Sequence, residues 1–430
     1  MKKLSLLLSA LMVSASLMAD PIDAERAKSL AAQFMPSAGT QPELVKTAAR
    51  RSRSGRRLAP AYQKAAPYYI FSRGENQGFV IVSGDDALPE VLGYTESGDY
   101  DETNMSPFLK WYLDYYGSMI EDAQETQLPR RAPLVTATAR VDIAPMIATH
   151  WDQGWPYSNL CPDRKDGGGK CLTGCVATAA AQVLYYWHKD LTDVTLAATS
   201  SYTYGDQAKA TRAFPKGTKL KWGLMRTKYG TEPEEYRTAV ATLMAVVGGG
   251  AGLTYGSSTA GYPENCINVF KNIFGMNGGT HKYKDHGGAT EVSDDAWATQ
   301  LYNELMKQAP ILYAGCREYK DNNGDTQAEG HAIVIDGYQA KTGYFHFNLG
   351  WGGQGDGYFT VARSKSPSWG FNDSWQEYVI GVSPRKQNMQ AEFVVRPKVY
   401  FNRSNTFTIE VKNNGTLDYS GIYFFAYTTG

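Results

Sequence analysis

The stretch Leu172-Thr173-Gly174-Cys175-Val176-Ala177-Thr178-Ala179-Ala180-Ala181-Gln182 does most to constrain the fold, because a glycine and a cysteine here open an alanine-rich run that reads as a helix with a thiol in its first turn. The free N–H groups of a helix start, and the positive end of its dipole, favour a sulfur anion and lower the thiol pKa when a base is near. A candidate base lies far downstream: His331, in the strand-like run Gly330-His331-Ala332-Ile333-Val334-Ile335-Asp336-Gly337. A chain that uses both must lay a helical half against a strand half, with a cleft between them.

The surrounding pattern agrees. From Val141 to about Pro384 the first half carries the clearest helices, Cys175 to Lys189 and Glu234 to Val247. The second half carries strands at Ile311 to Ala314, His331 to Tyr338, Tyr344 to Phe347 and Tyr358 to Val361, with Gly/Asp-rich turns between. The expected fold class is α+β, a two-subdomain catalytic unit of helical half and antiparallel β half. A smaller α+β unit precedes it, with a helix over Ala24 to Phe34, a hairpin of Tyr68 to Phe71 with Gly78 to Asp85, and a strand at Val91 to Tyr94. It ends in a helix from Pro107 whose apolar residues recur at Phe108, Trp111, Tyr112, Tyr115 and Met119. Residues 20–140 form this unit and its linker, 141–384 the catalytic unit, and 385–430 the opening strands of a β-sandwich-like segment expected to continue past Gly430. The linker, Pro129-Arg130-Arg131-Ala132-Pro133 and onward to Arg140, has no periodicity and suits cleavage.

Lysine plus arginine equals aspartate plus glutamate at 43 each, which removes any global electrostatic argument for a nucleic-acid or anionic-membrane partner. Met1 to Ala19 pairs two lysines with an apolar run too short for a permanent span, and reads as a secretory signal cut near Ala19. Nothing later is long and apolar enough to span a membrane as a helix. The expected location is therefore outside a bacterial cell or at its surface. Export makes the odd count of five cysteines informative, since Cys161, Cys171, Cys175, Cys266 and Cys316 cannot all pair within the chain.

A cysteine nucleophile needs a base, an orienting partner for that base, and donors for the oxyanion. Gln153, in His150-Trp151-Asp152-Gln153, precedes the cysteine helix and could join the Cys175 N–H as an oxyanion donor. Asn348, in Phe347-Asn348-Leu349-Gly350-Trp351-Gly352-Gly353, follows the histidine strand and could hold the imidazole; Trp351 could cover the pair. These blocks, Thr173 to Ala179, Gly330-His331-Ala332 with Val334 to Gly337, and Asn348 with Gly350 to Gly353, resemble the streptopain family of secreted papain-like cysteine peptidases. The resemblance extends over roughly residues 24 to 384, its N-terminal hairpin matching the family's pro-domain. It departs at Leu349, where the family carries a tryptophan, and in the segment Ser364 to Gln376, which replaces a glycine-rich loop.

The resemblance implies a secreted endopeptidase made as an inactive zymogen, with Cys175 as nucleophile, His331 as base, and no metal or organic cofactor. The implied partners are protein or peptide substrates and the chain's own pro-domain as an intramolecular inhibitor. The alternatives are a thiol acyltransferase or amidase on the same scaffold, and a non-catalytic secreted binding protein. Two further patterns read as bland. Asp321-Asn322-Asn323-Gly324-Asp325 lacks the turn glycine and terminal glutamate of a calcium loop. Cys161, Cys171, Cys175 and His188 match no common zinc spacing.

Overall fold

The structure, a computed structural model, describes residues 18–37, 39–50, 58–130, 140–191, 195–203, 211–256, 258–284, 293–320, 323–324, 326–361, 374–385, 389–393 and 409–413. The leader up to residue 17, linker residues 131–139, most of the calcium-like loop, the aromatic segment 362–373 and most of the tail lie outside the described residues.

Chain order in the N-terminal unit is α1 (Ala24–Ala32), β1 (Glu43–Thr47), β2 (Tyr68–Ser72), β3 (Phe79–Ser83), β4 (Val91–Thr95) and α2 (Pro107–Thr126). Helix α2 starts where its sequence says it should: the Ser106 hydroxyl accepts from the Leu109 N–H, and Pro107 fills the first helical position, where no N–H is needed. Its apolar face is buried through Phe108, Trp111, Tyr112, Tyr116, Met119 and Ile120. Each of these contributes about 1.5–3 kcal/mol by leaving water.

The larger unit contains α3 (Cys175–Trp187), a small hairpin of β5 (Ser200–Thr203) and β6 (Thr211–Phe214), α4 (Glu234–Gly250), β7 (Asn277–Lys284) and α5 (Asp294–Leu305). Then follow β8 (Ile311–Lys320), β9 (Thr326–Gln339), β10 (Tyr344–Asn348), β11 (Gly357–Phe359) and β12 (Ser374–Ser383). Beyond these, β13 (Met389–Phe393) pairs with β14 (Ile409–Asn413) in a separate two-stranded ladder.

The sequence reading treats the two units as separate modules, and the sheet does not respect that division. One antiparallel sheet of ten strands runs β1-β2-β3-β4-β11-β10-β9-β8-β12-β7, with Tyr94 of β4 opposite Tyr358 of β11 at the junction. The Tyr112 hydroxyl donates to the carbonyls of both Leu92 and Thr360, at 2.8 and 2.9 Å, stitching the same seam from α2. One face of β8, β9 and β12 carries Leu312, Ala314, Ala332, Val334 and Val379 into a core shared with α3 and α4. The opposite face carries Tyr313, Ile333, Ile335 and Tyr378 into a second core, where Phe108, Trp111 and Tyr112 meet Phe345, Phe347 and Phe359. The Phe108 and Phe347 rings meet edge to face at 5.6 Å.

Candidate active site

Helix α3 is buried along Val176 to Leu184, and its small residues Ala177, Ala179, Ala180 and Ala181 let it lie close against the sheet. Gly174 supplies no capping side chain, so the first N–H groups of the helix stay open to another acceptor. Its φ of 83° suits glycine, and a Cβ there would sit 2.9 Å from the Thr259 methyl. The preceding turn is fixed by Thr173, whose N–H donates to the Gln153 carbonyl at 3.0 Å and whose hydroxyl meets that of Thr178 at 2.9 Å.

Cys175 is half-buried at the start of α3. Burial raises its thiol pKa, opposed by the backbone N–H groups of Ala332, Val176 and Cys175 itself. Cys175 packs against the core cluster that includes Ala332, the residue beside His331. The two side chains nevertheless diverge: Ala332 faces the α3 core, whereas the strand's alternation sends His331 to the other side with Ile333. There its ring lies 6.4 Å from that of Trp351, edge to face. Among the described residues no hydrogen bond joins the thiol to the imidazole. His331 is buried, its Nε2 has no partner among those residues, and burial pushes its pKa down to about 4 against the support of the Leu349 carbonyl. Burial thus favours the neutral form of both groups.

Asn348 does not take the position expected of it. Its Oδ1 accepts from Gln182 Nε2 at 3.0 Å and from the Gly350 N–H at 3.1 Å, while its Nδ2 donates to the Thr149 carbonyl at 2.7 Å. Among the described residues no hydrogen bond joins this amide to His331, and the main-chain carbonyl of Leu349 supports the imidazole instead. A backbone acceptor does not depend on the side chain, so the Leu349 departure leaves this contact available. Gln153 is buried just before the Cys175 turn, with its N–H on Asp152 Oδ1 at 2.6 Å and its carbonyl on Thr173. Trp351 is partly buried against the second core. Its indole N–H points to Asn104 of the N-terminal unit, 3.3 Å from the carbonyl, and Asn104 Nδ2 donates to Gln354 Oε1 at 2.8 Å.

The loop 349–356 is closed by Asp356, whose Oδ1 accepts from the Leu349 N–H at 2.7 Å and whose Oδ2 lies 3.7 Å from His150 Nδ1, raising the His150 pKa. Sequence reasoning missed Thr149, Gln182 and Asp356; the sevenfold spacing of Cys175 and Gln182, two turns along one helix face, was the available signal for Gln182. His188 stacks between Tyr185 and Trp222 at ring distances of 4.6 and 5.6 Å, away from any ligand cluster with the cysteines among the described residues. All five cysteines are unbridged.

Comparison with known proteins places this geometry. Residues 151–359 match the Peptidase C10 family, and residues 19–120 match the Spi protease inhibitor family. The chain is 30% identical over 335 residues to streptopain of Streptococcus pyogenes, covering 71% of this chain and 78% of that one. It is 29% identical over 396 residues to the thiol protease/hemagglutinin PrtT of Porphyromonas gingivalis, covering 86% of this chain and 42% of the relative. A solved fragment of prointerpain A from Prevotella intermedia superposes with a TM-score of 0.61 at 26% identity, over 78% of this chain and 98% of the fragment. The half-buried thiol, the buried histidine, the inhibitor-like unit joined to their sheet, and these likenesses together make the chain a cysteine peptidase of the Peptidase C10, or streptopain, family, produced as a zymogen.

Proposed function

We propose that the chain is an exported endopeptidase whose Cys175 attacks peptide carbonyls once residues 20–140 have been removed. His331 takes the thiol proton; the Cys175 thiolate bonds to the carbonyl carbon, and the oxyanion is held by the Cys175 N–H and the Gln153 amide. The His331 imidazolium then protonates the leaving amine as the peptide C–N bond breaks. Water, deprotonated by His331, cleaves the resulting thioester and regenerates the thiol. The Leu349 carbonyl orients the imidazole and Trp351 covers it. Residues 1–19 act as the export signal.

The observation that carries the reading is that Cys175 packs on the α3 side of β9, the side Ala332 faces, whereas the adjacent His331 lies on the other side near Trp351. It supports a complete pair held apart, with the N-terminal unit as its intramolecular inhibitor. Trp111 lies over Gly315, the cross-strand partner of His331, and Asn104 holds Trp351, so both contacts cover the histidine side from the N-terminal unit.

Purified full-length protein should leave casein intact until a shorter band forms, and iodoacetamide should then label Cys175 and abolish hydrolysis. Immediate hydrolysis by the unprocessed chain would refute latency, and a processed Cys175→Ala protein that still hydrolysed casein would refute the nucleophile. Labelling with amine incorporation but no proteolysis would transfer the reading to an acyltransferase.

A further inference from the structure

Three buried side chains form a closed ring between the pieces of the site. The Thr149 hydroxyl donates to Gln182 Oε1 at 2.7 Å, Gln182 Nε2 donates to Asn348 Oδ1 at 3.0 Å, and Asn348 Nδ2 returns to the Thr149 carbonyl at 2.7 Å. All three residues are at most 2% exposed. Each belongs to a different part of the site. Thr149 lies on the segment leading to Gln153, Gln182 on the helix headed by Cys175, and Asn348 at the end of β10, next to the Leu349 carbonyl that faces His331.

We propose that Gln182 is a positioning residue for the peptidase reaction, its amide setting the spacing of the Cys175 helix, the Gln153 segment and the Leu349 carbonyl through Thr149 and Asn348. The inference rests on the reading of Cys175, Gln153 and His331 given above.

Gln182 suits this role because both side-chain-to-side-chain bonds of the ring pass through it, one accepted from Thr149 and one donated to Asn348. Its direction is also fixed. Asn348 must turn its nitrogen toward the Thr149 carbonyl, so its oxygen faces Gln182 and requires a donor there. The Gly350 N–H shares that same oxygen at 3.1 Å, which ties the ring to the start of the loop carrying Trp351. Thr178, one turn from Cys175 on the same helix face, meets this loop as well, a Cβ on Gly350 lying 3.3 Å from its methyl. A group in such a ring acts on catalysis by distance and angle, where an error on the order of 1 Å at the reacting atoms costs about a hundredfold in rate.

The test uses full-length chains carrying Gln182→Leu or Gln182→Glu, activated under one protocol and compared with wild type. Gln182→Leu removes both contacts. It should lower kcat by roughly ten- to a hundredfold with KM held within about twofold, and move the pH midpoint of Cys175 alkylation by roughly half a unit or more. Gln182→Glu keeps the volume and the acceptor for Thr149 but presents an acceptor to Asn348 Oδ1. It should lose activity at neutral pH and regain roughly fivefold or more relative to wild type in acid, where the protonated carboxyl can donate as the amide does. If Gln182→Leu fails to fold, Gln182→Glu decides alone.

Wild-type kcat and alkylation profiles in the folded variants would overturn the proposal. So would parallel losses of Tm and activity with an unchanged alkylation profile, since that is the mark of a structural residue only. A wild-type protein without thiol-dependent hydrolysis would instead refute the peptidase reading, and this inference with it.

Discussion

Acidification should destabilise the precursor through His331. Its imidazole titrates near 6.5 when exposed and at about 4 when folded, because burial disfavours the charged ring. Above pH 6.5 the ring is neutral in both states and its contribution to stability is complete. Between 6.5 and 4 the unfolded chain binds a proton that the folded chain refuses, so stability falls with pH; below 4 both are protonated and the loss is finished. At about 1.4 kcal/mol per pH unit the full loss amounts to about 3.5 kcal/mol, of which roughly 3 kcal/mol has gone by pH 4. The assay is urea unfolding of the Cys175→Ala precursor at pH 7 and pH 4, with and without His331→Gln. The neighbouring pairs His346 with Asp336 and His150 with Asp356 are present in both proteins, so the difference between the two isolates His331. The His331-containing protein should lose roughly 3 kcal/mol more than the glutamine variant. A difference below about 1 kcal/mol would refute the claim that this histidine is sealed in a dry site.

Gly315→Ala should loosen the precursor, because the new methyl would collide with the Trp111 indole across the interface. Overpacking of this kind costs about 1–3 kcal/mol, so casein hydrolysis should start sooner, and Trp111→Leu in the same chain should restore the delay. Asn104→Ala removes the contacts to Trp351 and Gln354, and should raise the rate of Cys175 alkylation in the unprocessed chain roughly three- to tenfold, as expected for about 1 kcal/mol of lost hydrogen bonding. Asp336 is fully buried between His346 Nδ1 at 2.6 Å and the Ile147 N–H at 2.7 Å. Asp336→Ala should therefore cost about 3–5 kcal/mol by leaving His346 without its partner, read as a fall in Tm.

The elements with strong local signals were legible. Ser106-Pro107 and the spacing of Phe108, Trp111 and Tyr112 mark α2, and the alanine run marks α3 within a few residues of its observed end. Strands β2, β3, β4 and β10 likewise fall close to their apolar runs. Other elements were not legible, β1, β7 and α5 among them. Strand β1 exposes most of its residues, β7 alternates weakly as Asn-Gly-Gly-Thr-His-Lys-Tyr-Lys, and α5 mixes polar and apolar residues with only Trp297, Ala298, Leu301, Glu304 and Leu305 buried. At the site, Cys175, His331 and Gln153 were nameable as candidates because a cysteine mechanism demands those chemical types. The partner of His331 was not, since a main-chain carbonyl has no sequence signature. The asparagine expected there is drawn away by Gln182 and Thr149, two polar side chains whose meeting depends on how α3 sits against the segment before Gln153.

The seam between β4 and β11 has a consequence for the order of events on the ribosome. Residues 68–95 are synthesised long before 344–359, and pairing across so wide a gap in sequence is slow when neither strand is yet formed. The hairpin β2-β3 and its neighbour β4 bury their own face against α1, so they can be complete when the later strands emerge. Strand β4 then offers a finished row of backbone donors and acceptors to the three-residue β11, which is too short to hold an edge by itself. In this chain the inhibitor-like segment is the template on which the last part of the sheet is laid.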